Sequence, residues 1–183
     1  MHQDFSAAVS SLRQGGIIAY PTEGVWGLGC DPDDERALAS LIALKGRASE
    51  KGLILIAGDI RQLSDWLEGI DEGARQRLLE TWPGPHTWLI PDNGRARPLL
   101  RGRHPTLAVR VSDHPLVQRL CAAWGGPVVS TSANRAGEAP AMSADEVRRT
   151  FGGALGAIVD GPLGGRDRPS TIRDLMTGRL LRA

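Results

Sequence analysis

The sequence predicts a single α/β domain built on a twisted, mostly mixed open sheet with helices on its faces. Three observations carry this reading. Segments of helical and strand periodicity alternate along most of the chain. Strands succeed each other without a helix between them at 86–91 and 106–111, and again near the end, which argues against a purely parallel sheet. No repeat, and no Pro/Gly/Ser-rich stretch long enough to act as a linker, divides residues 1–183, so they are read as one domain.

The elements follow in order. Phe5, Ala8, Val9 and Leu12 fall on one helical face, and Gly15-Gly16 stops that helix before the strand Ile17-Ile18-Ala19-Tyr20. Asp31-Pro-Asp-Asp34 supplies an N-cap for a helix carrying Leu38, Leu41, Ile42 and Lys45, and Gly52–Ala57 reads as a fully buried strand. Helices are expected near 59–68 and 71–81, strands at 86–91 and 106–111. A helix with Leu116, Val117, Leu120 and Cys121 on one face leads into the strand Val128–Ser132. A helix around 143–151, a strand at 157–160 and paired extended segments at 170–175 and 179–182 complete the count.

The chain has 22 basic and 21 acidic residues, so charge gives no global argument for a nucleic-acid or acidic-surface partner and leaves only local patches. Cys30 and Cys121 stand far apart without a CxxC pair or a His-rich cluster. Buried free thiols are expected, and no metal site. Met1-His2-Gln3-Asp4 carries an acid in place of a basic leader, and no apolar run approaches the roughly 18 residues of a membrane span. A cytoplasmic protein without membrane contact is expected.

Four segments could carry chemistry. Tyr20–Cys30 is a strand end followed by a loop with glycines at 24, 27 and 29, either a close-approach ligand loop or a turn needing positive φ at Gly27 and Gly29. It is neither a GxGxxG nor a P-loop. Lys45, Arg47 and Lys51 include both lysines of the chain; they suit a nucleotide's phosphates or complement a helix end. Val128–Asn134 ends an apolar strand in three hydroxyls and an amide, a ligand site at a strand end or a turn satisfying its own backbone. Thr106 and Arg110 share strand parity, and an inward Arg110 needs an anion, from a ligand or from a structural Asp or Glu. The four histidines are scattered, and no Ser-His-Asp, Cys-His or carboxylate pair is evident. Hydroxyls, guanidinium and ammonium groups suit a reaction between bound anions, driven by positioning and charge stabilisation.

Six motifs in order, Tyr20-Pro-Thr-Glu…Gly-Leu-Gly, Lys45-x-Arg47…Lys51, Trp82-Pro-Gly-Pro85, Ala108-Val-Arg110, Ser130-Thr-Ser-Ala-Asn134 and Pro169-Ser-Thr171, resemble the YrdC/Sua5 family of threonylcarbamoyl-AMP synthases. The match runs from about Ile17 to Arg182 and is similar to the short, single-domain bacterial form. The resemblance implies a YrdC-like sheet with a large basic concave cavity. It also implies a nucleotidyltransferase that makes L-threonylcarbamoyl-AMP, pyrophosphate and water from ATP, L-threonine and bicarbonate. Its product would serve the t6A modification at tRNA position 37 through downstream transfer proteins. Carried over by motif, Thr22, Arg110, Ser130 and Ser170 would hold threonine. Lys45, Arg47, Lys51, Thr106, Ser132, Asn134 and Arg182 would face ATP, with Mg²⁺ held mainly through the phosphates. The chain departs from the family pattern at Gly24, Trp26, Ala48 and His86, and at Ile56 where the longer branch carries a histidine.

The alternative is a non-catalytic RNA-binding or ribosome-maturation module, motivated by Arg95, Arg97, Arg101 and Arg103 in one loop. No aromatic interleaving or RNA-binding signature accompanies them, so any RNA binding is expected to be weak and non-specific.

Overall fold

The computed structural model describes residues 4–166 and 170–182. Among these, nine strands form one mixed sheet: β1 (Ile18–Pro21), β2 (Trp26–Gly29), β3 (Ile54–Ala57), β4 (His86–Pro91), β5 (Thr106–Val111), β6 (Val128–Ser132), β7 (Ala157–Ile158), β8 (Thr171–Asp174) and β9 (Leu180–Arg182). Their spatial order is β7-β1-β2-β6-β3-β5-β4-β8-β9. The β1/β7, β3/β5 and β4/β8 pairs are parallel and the other five antiparallel. The helices are α1 (Ser6–Arg13), α2 (Glu35–Lys45), α3 (Glu72–Leu79), α4 (Pro98–Arg101), α5 (Pro115–Trp124) and α6 (Ala144–Phe151).

Strand alternation divides the core between the two faces. Ala19, Leu55, Ala57 and Val129 join one cluster with Leu38 and Leu41 of α2; Ile18, Tyr20, Ile56 and Val128 join the other with Leu12 of α1 and Leu116, Val117, Leu120 and Cys121 of α5. The predicted face of α5 is thus the buried one. Asp34 caps α2 by accepting from the Arg36 and Ala37 amides, and Gly46, at φ +61°, ends it in the left-handed conformation open to glycine.

The structure corrects the sequence expectation at three places. Residues 26–29 are a strand and not a loop, and neither Gly27 nor Gly29 has positive φ. Close approach explains Gly29: a Cβ there would stand 2.3 Å from the Val129 carbonyl oxygen and 2.9 Å from the Tyr20 ring, whose hydroxyl donates to that same carbonyl. The helix expected at 59–68 is a 3₁₀ helix, Ile60–Trp66, closed by a capping box in which Asp59 and Gln62 bond each other's backbone. The short α4, opened by Pro98, lies in a stretch where no element is predicted. Cys30 and Cys121 are buried free thiols; burial raises both, Cys121 to about 12. No helix among the described residues is long and apolar enough to cross a membrane.

Candidate functional site

A cavity of about 420 Å³ gathers side chains from segments far apart in sequence. Thr22 and Glu23 come from the β1–β2 connection, Arg47 from beyond α2, Arg110 from β5, Ser130, Thr131 and Ser132 from β6, and Ser170 and Arg182 from the β8–β9 end. Pairing explains the convergence: Ser130 lies opposite Ile54 of β3, Ser132 opposite Gly27 of β2, and Arg110 beside Ile56. Parallel pairing of β8 with β4 brings the last strands to the same wall.

The hydroxyls are held by local bonds. Thr22 Oγ1 donates to the Val25 carbonyl at 2.7 Å, leaving lone pairs free to accept. The Ser170 hydroxyl bonds that of Thr87 at 2.9 Å and accepts from Arg182 at 3.1 Å, and the Arg182 guanidinium also donates twice to the Ser170 carbonyl. Ser132 donates to Asn134 Oδ1 at 2.5 Å.

The cations fall into two pairs of like charge. Burial and the Arg47 charge lower Lys45 from 10.5 to about 8. Burial lowers Arg47, and burial together with the Arg110 charge lowers Arg182. Arg47 donates to the neutral Gly52 carbonyl at 3.0 and 3.3 Å, so its charge is not cancelled there. Positive groups brought together without an acid between them, as Lys45 and Arg47 are, are stabilised by an anion placed among them.

Arg110 meets the need for an inward anion within the protein. Its Nη2 lies 3.3 Å from Glu23 Oε2, with both side chains at most 10% exposed. The Ser112 hydroxyl donates to Glu23 Oε1 at 2.7 Å. Sequence reasoning gave Glu23 no role although it belongs to the Tyr20-Pro-Thr-Glu segment. It also missed Arg166, which lines the cavity and pairs with Asp113 at 2.6 Å. Nothing in the spacing of either residue signals its destination; only the order of the strands in the sheet does.

Of the sequence-predicted residues, Thr22, Arg47, Arg110, Ser130, Ser132, Ser170 and Arg182 line the cavity, and Lys45, Lys51, Thr106 and Asn134 do not. Lys45 is buried, and its ammonium donates to the Ser132 and Asn134 carbonyls and to Asn134 Oδ1, clamping the turn behind β6. Asn134 Nδ2 donates to the carbonyls of Arg135 and Glu138, so this side chain does what an Asn turn requires. Thr106 shares a strand face with Arg110 but lies roughly 13 Å along β5, at about 3.3 Å per residue. Lys51 is exposed at the end of the 3₁₀ turn Ser49–Lys51.

The loop arginines are paired outside the cavity. Arg95 meets Asp33 at 3.0 Å and stacks on Trp66, Arg101 meets Asp92 at 3.2 Å, Arg103 meets Glu50 at 3.5 Å, and Arg97 donates to the Asp33 carbonyl. Among the described residues no group of three His, Cys, Asp or Glu side chains could hold a metal ion. The cavity's carboxylate, Glu23, is engaged by Ser112 and Arg110, so a divalent cation here fits only as a partner of phosphate oxygens.

The family model described as "Telomere recombination", of the Sua5/YciO/YrdC group, matches residues 10–183. A protein of Chromohalobacter salexigens named threonylcarbamoyl-AMP synthase is 69% identical over 96% of this chain and 94% of its own length. One of the same name from Cellvibrio japonicus is 55% identical over 96% and 93%. Among solved structures, P. abyssi Sua5 complexed with L-threonine superposes with TM-score 0.88 at 32% identity, covering 96% of this chain; the chain spans about half that protein, 52% of its length. E. coli YciO superposes with TM-score 0.82 at 26% identity over 96% and 86%. With the family model covering nearly all of it and close relatives matching end to end, the chain belongs to the Sua5/YciO/YrdC family.

Proposed function

We propose that this chain is a threonylcarbamoyl-AMP synthase, a nucleotidyltransferase that joins ATP, L-threonine and bicarbonate into L-threonylcarbamoyl-AMP with release of pyrophosphate and water. The observation that carries the reading is the single cavity in which Arg47, Arg110 and Arg182 meet the hydroxyls of Thr22, Ser130, Ser132 and Ser170. The names of the two bacterial relatives support it.

The chemistry needs no protein nucleophile. Threonine nitrogen bonds to the bicarbonate carbon, hydroxide leaves with one of the amine's protons as water, and a carbamate results. A carbamate oxygen then attacks the α-phosphorus; the new P–O bond forms as the bond to pyrophosphate breaks, and pyrophosphate carries away the electron pair. Arg47 and Arg182 would hold the phosphates, and Ser132 would bond a phosphate oxygen. Arg110 would hold the threonine carboxylate, with Thr22, Ser130 and Ser170 around the rest of the amino acid. Contacts from Lys51 and Thr106 to ATP rest on the motif resemblance alone, while Lys45 and Asn134 would act by shaping the turn behind Ser132. Mg²⁺, carried by the phosphates, would neutralise charge on the leaving pyrophosphate. The catalytic share of the chain is orientation of two anions that repel each other in water, within a wall of fixed positive charge.

The product would be consumed by transfer proteins that modify tRNA at position 37, in the cytoplasm. The test is incubation of the pure protein with ATP, bicarbonate and labelled threonine. Pyrophosphate release is expected to require both threonine and bicarbonate; equal release without threonine would overturn the assignment.

A further inference from the structure

Glu23 is 4% exposed, lines the cavity, and is left half satisfied. Its Oε1 accepts from Ser112, whereas Oε2 is buried with no hydrogen-bond partner, 3.3 Å from Arg110 Nη2 but out of line for a hydrogen bond. Arg110 Nε is likewise buried and unpartnered. A donor and an acceptor shielded from water and unsatisfied within one ion pair is a costly arrangement, and it calls for a ligand that supplies both missing partners.

We propose that Glu23 and Arg110 together form a receptor for the zwitterion of the amino-acid substrate, Arg110 taking the α-carboxylate and Glu23 the α-ammonium. The inference rests on reading this cavity as the threonine site. An α-amino acid carries opposite charges on one carbon, and the wall offers opposite charges 3.3 Å apart. A ligand that parts the pair slightly gives Oε2 a donor and the guanidinium an acceptor, and leaves the net charge of the wall unchanged. An arginine alone would accept any oxyanion, bicarbonate and phosphate included. The adjoining Glu23 repels anions that bring no ammonium, and so makes a free amino group the entry requirement.

The surroundings keep Glu23 in place for that task. The other cavity arginines are engaged elsewhere: Arg47 with the Gly52 carbonyl, Arg182 with Ser170 and Arg166 with Asp113. The backbone around Glu23 is pinned by the 164–166 segment, where the Gly164 amide donates to the Thr22 carbonyl at 3.0 Å and the Arg166 amide to the Glu23 carbonyl at 2.9 Å. Ser112 fixes the carboxylate rotamer through Oε1, leaving Oε2 for the ligand.

The test compares L-threonine with 3-hydroxybutanoate, the same molecule without its ammonium, by calorimetry in the presence of a non-hydrolysable ATP analogue. Wild type is expected to prefer threonine. Glu23→Gln should weaken threonine by about 10- to 100-fold, the value of one charge-assisted hydrogen bond, and leave 3-hydroxybutanoate unchanged or tighter. Equal losses for the two ligands would reduce Glu23 to a prop for Arg110 and overturn the proposal, as would unaltered threonine affinity. Binding of the ATP analogue reports that the variant is folded; if it is not, Ser112→Ala, which loosens Glu23 without removing its charge, should narrow the same preference, and an unchanged preference there overturns the proposal. Failure of wild type to bind threonine at all would instead overturn the reading of the cavity, which separates the two conclusions.

Discussion

Two groups of arginines stand in opposite circumstances. Of those in the 95–103 stretch, Arg95, Arg101 and Arg103 lie near carboxylates and their fields are largely cancelled, while Arg97 donates to the Asp33 carbonyl. In the cavity, the half-buried Arg47 and the more exposed Arg182 donate to neutral oxygens and lie near further cations. Counting basic residues makes the loop the stronger anion site. The partners reverse that order, because a guanidinium bonded to a carbonyl keeps its charge for a ligand and one bonded to a carboxylate does not.

The sharpest way to break this contrast is at Arg110, which is paired as the loop arginines are but buried. Arg110→Ala strips Glu23 of its counter-ion and should cost about 3–5 kcal/mol of stability, the usual consequence of leaving a buried charge alone. Threonine binding should be lost in the same variant while the ATP analogue still binds. Urea unfolding and titration with each ligand check both halves.

Next in size is the phosphate wall. Arg47→Ala should weaken ATP by about 1.5–3 kcal/mol, and the exposed Lys51→Ala by less than 1 kcal/mol, because an exposed ammonium is screened by solvent. Equal effects would show that exposure does not decide the strength of these contacts.

Lys45 gives a pH test in which two signs oppose. Its ammonium releases its proton near pH 8 in the fold and at 10.5 when exposed, so between those values the unfolded chain binds more protons. Its contribution to stability therefore rises with pH across that window. Affinity for ATP should move the other way, falling about two- to fivefold between pH 7 and 9 as a nearby positive charge disappears. Lys45→Met should remove both slopes, read from urea midpoints and ATP titrations.

The smallest effect is expected at the loop. Replacing Arg95, Arg97, Arg101 and Arg103 together by alanine should leave threonylcarbamoyl-AMP synthesis nearly intact, since none of them lines the cavity and the exposed pairs of Arg95 and Arg103 contribute about 0–1 kcal/mol each. If wild type holds RNA through a few of these side chains, its log–log salt slope in fluorescence anisotropy with tRNA should be about −2 to −4, flattening in the variant. Tight, salt-insensitive preference for one tRNA would return the loop to the role of a recognition surface.

The sequence makes most of the sheet readable because the periods of α2, β3, α5 and β6 match their burial. It hides β2, since four residues with two glycines have little strand tendency and owe their conformation to pairing with β1 and β6. Similarly, motif chemistry marks the cavity's hydroxyls and guanidiniums but does not say how far each side chain reaches. Thr106 shares the parity of Arg110 without sharing the cavity. Lys45 is a cation of the right kind whose helix aims it at carbonyls. Glu23 carries no periodic signal, and only the fold sets it against Arg110.

The parallel docking of β8 on β4 has a consequence for the timing of activity during synthesis. The ribosome delivers the chain from the N-terminus, so β1 to β7, the whole core cluster under α1 and α5, and all of the other cluster except Leu175 can assemble before residues 170–182 dock. That nascent domain would already own Arg47, Arg110 and the β6 hydroxyls, yet lack the wall made by Ser170 and Arg182. Catalytic competence thus trails folding, and a chain stalled just short of β8 would be a packed but idle protein.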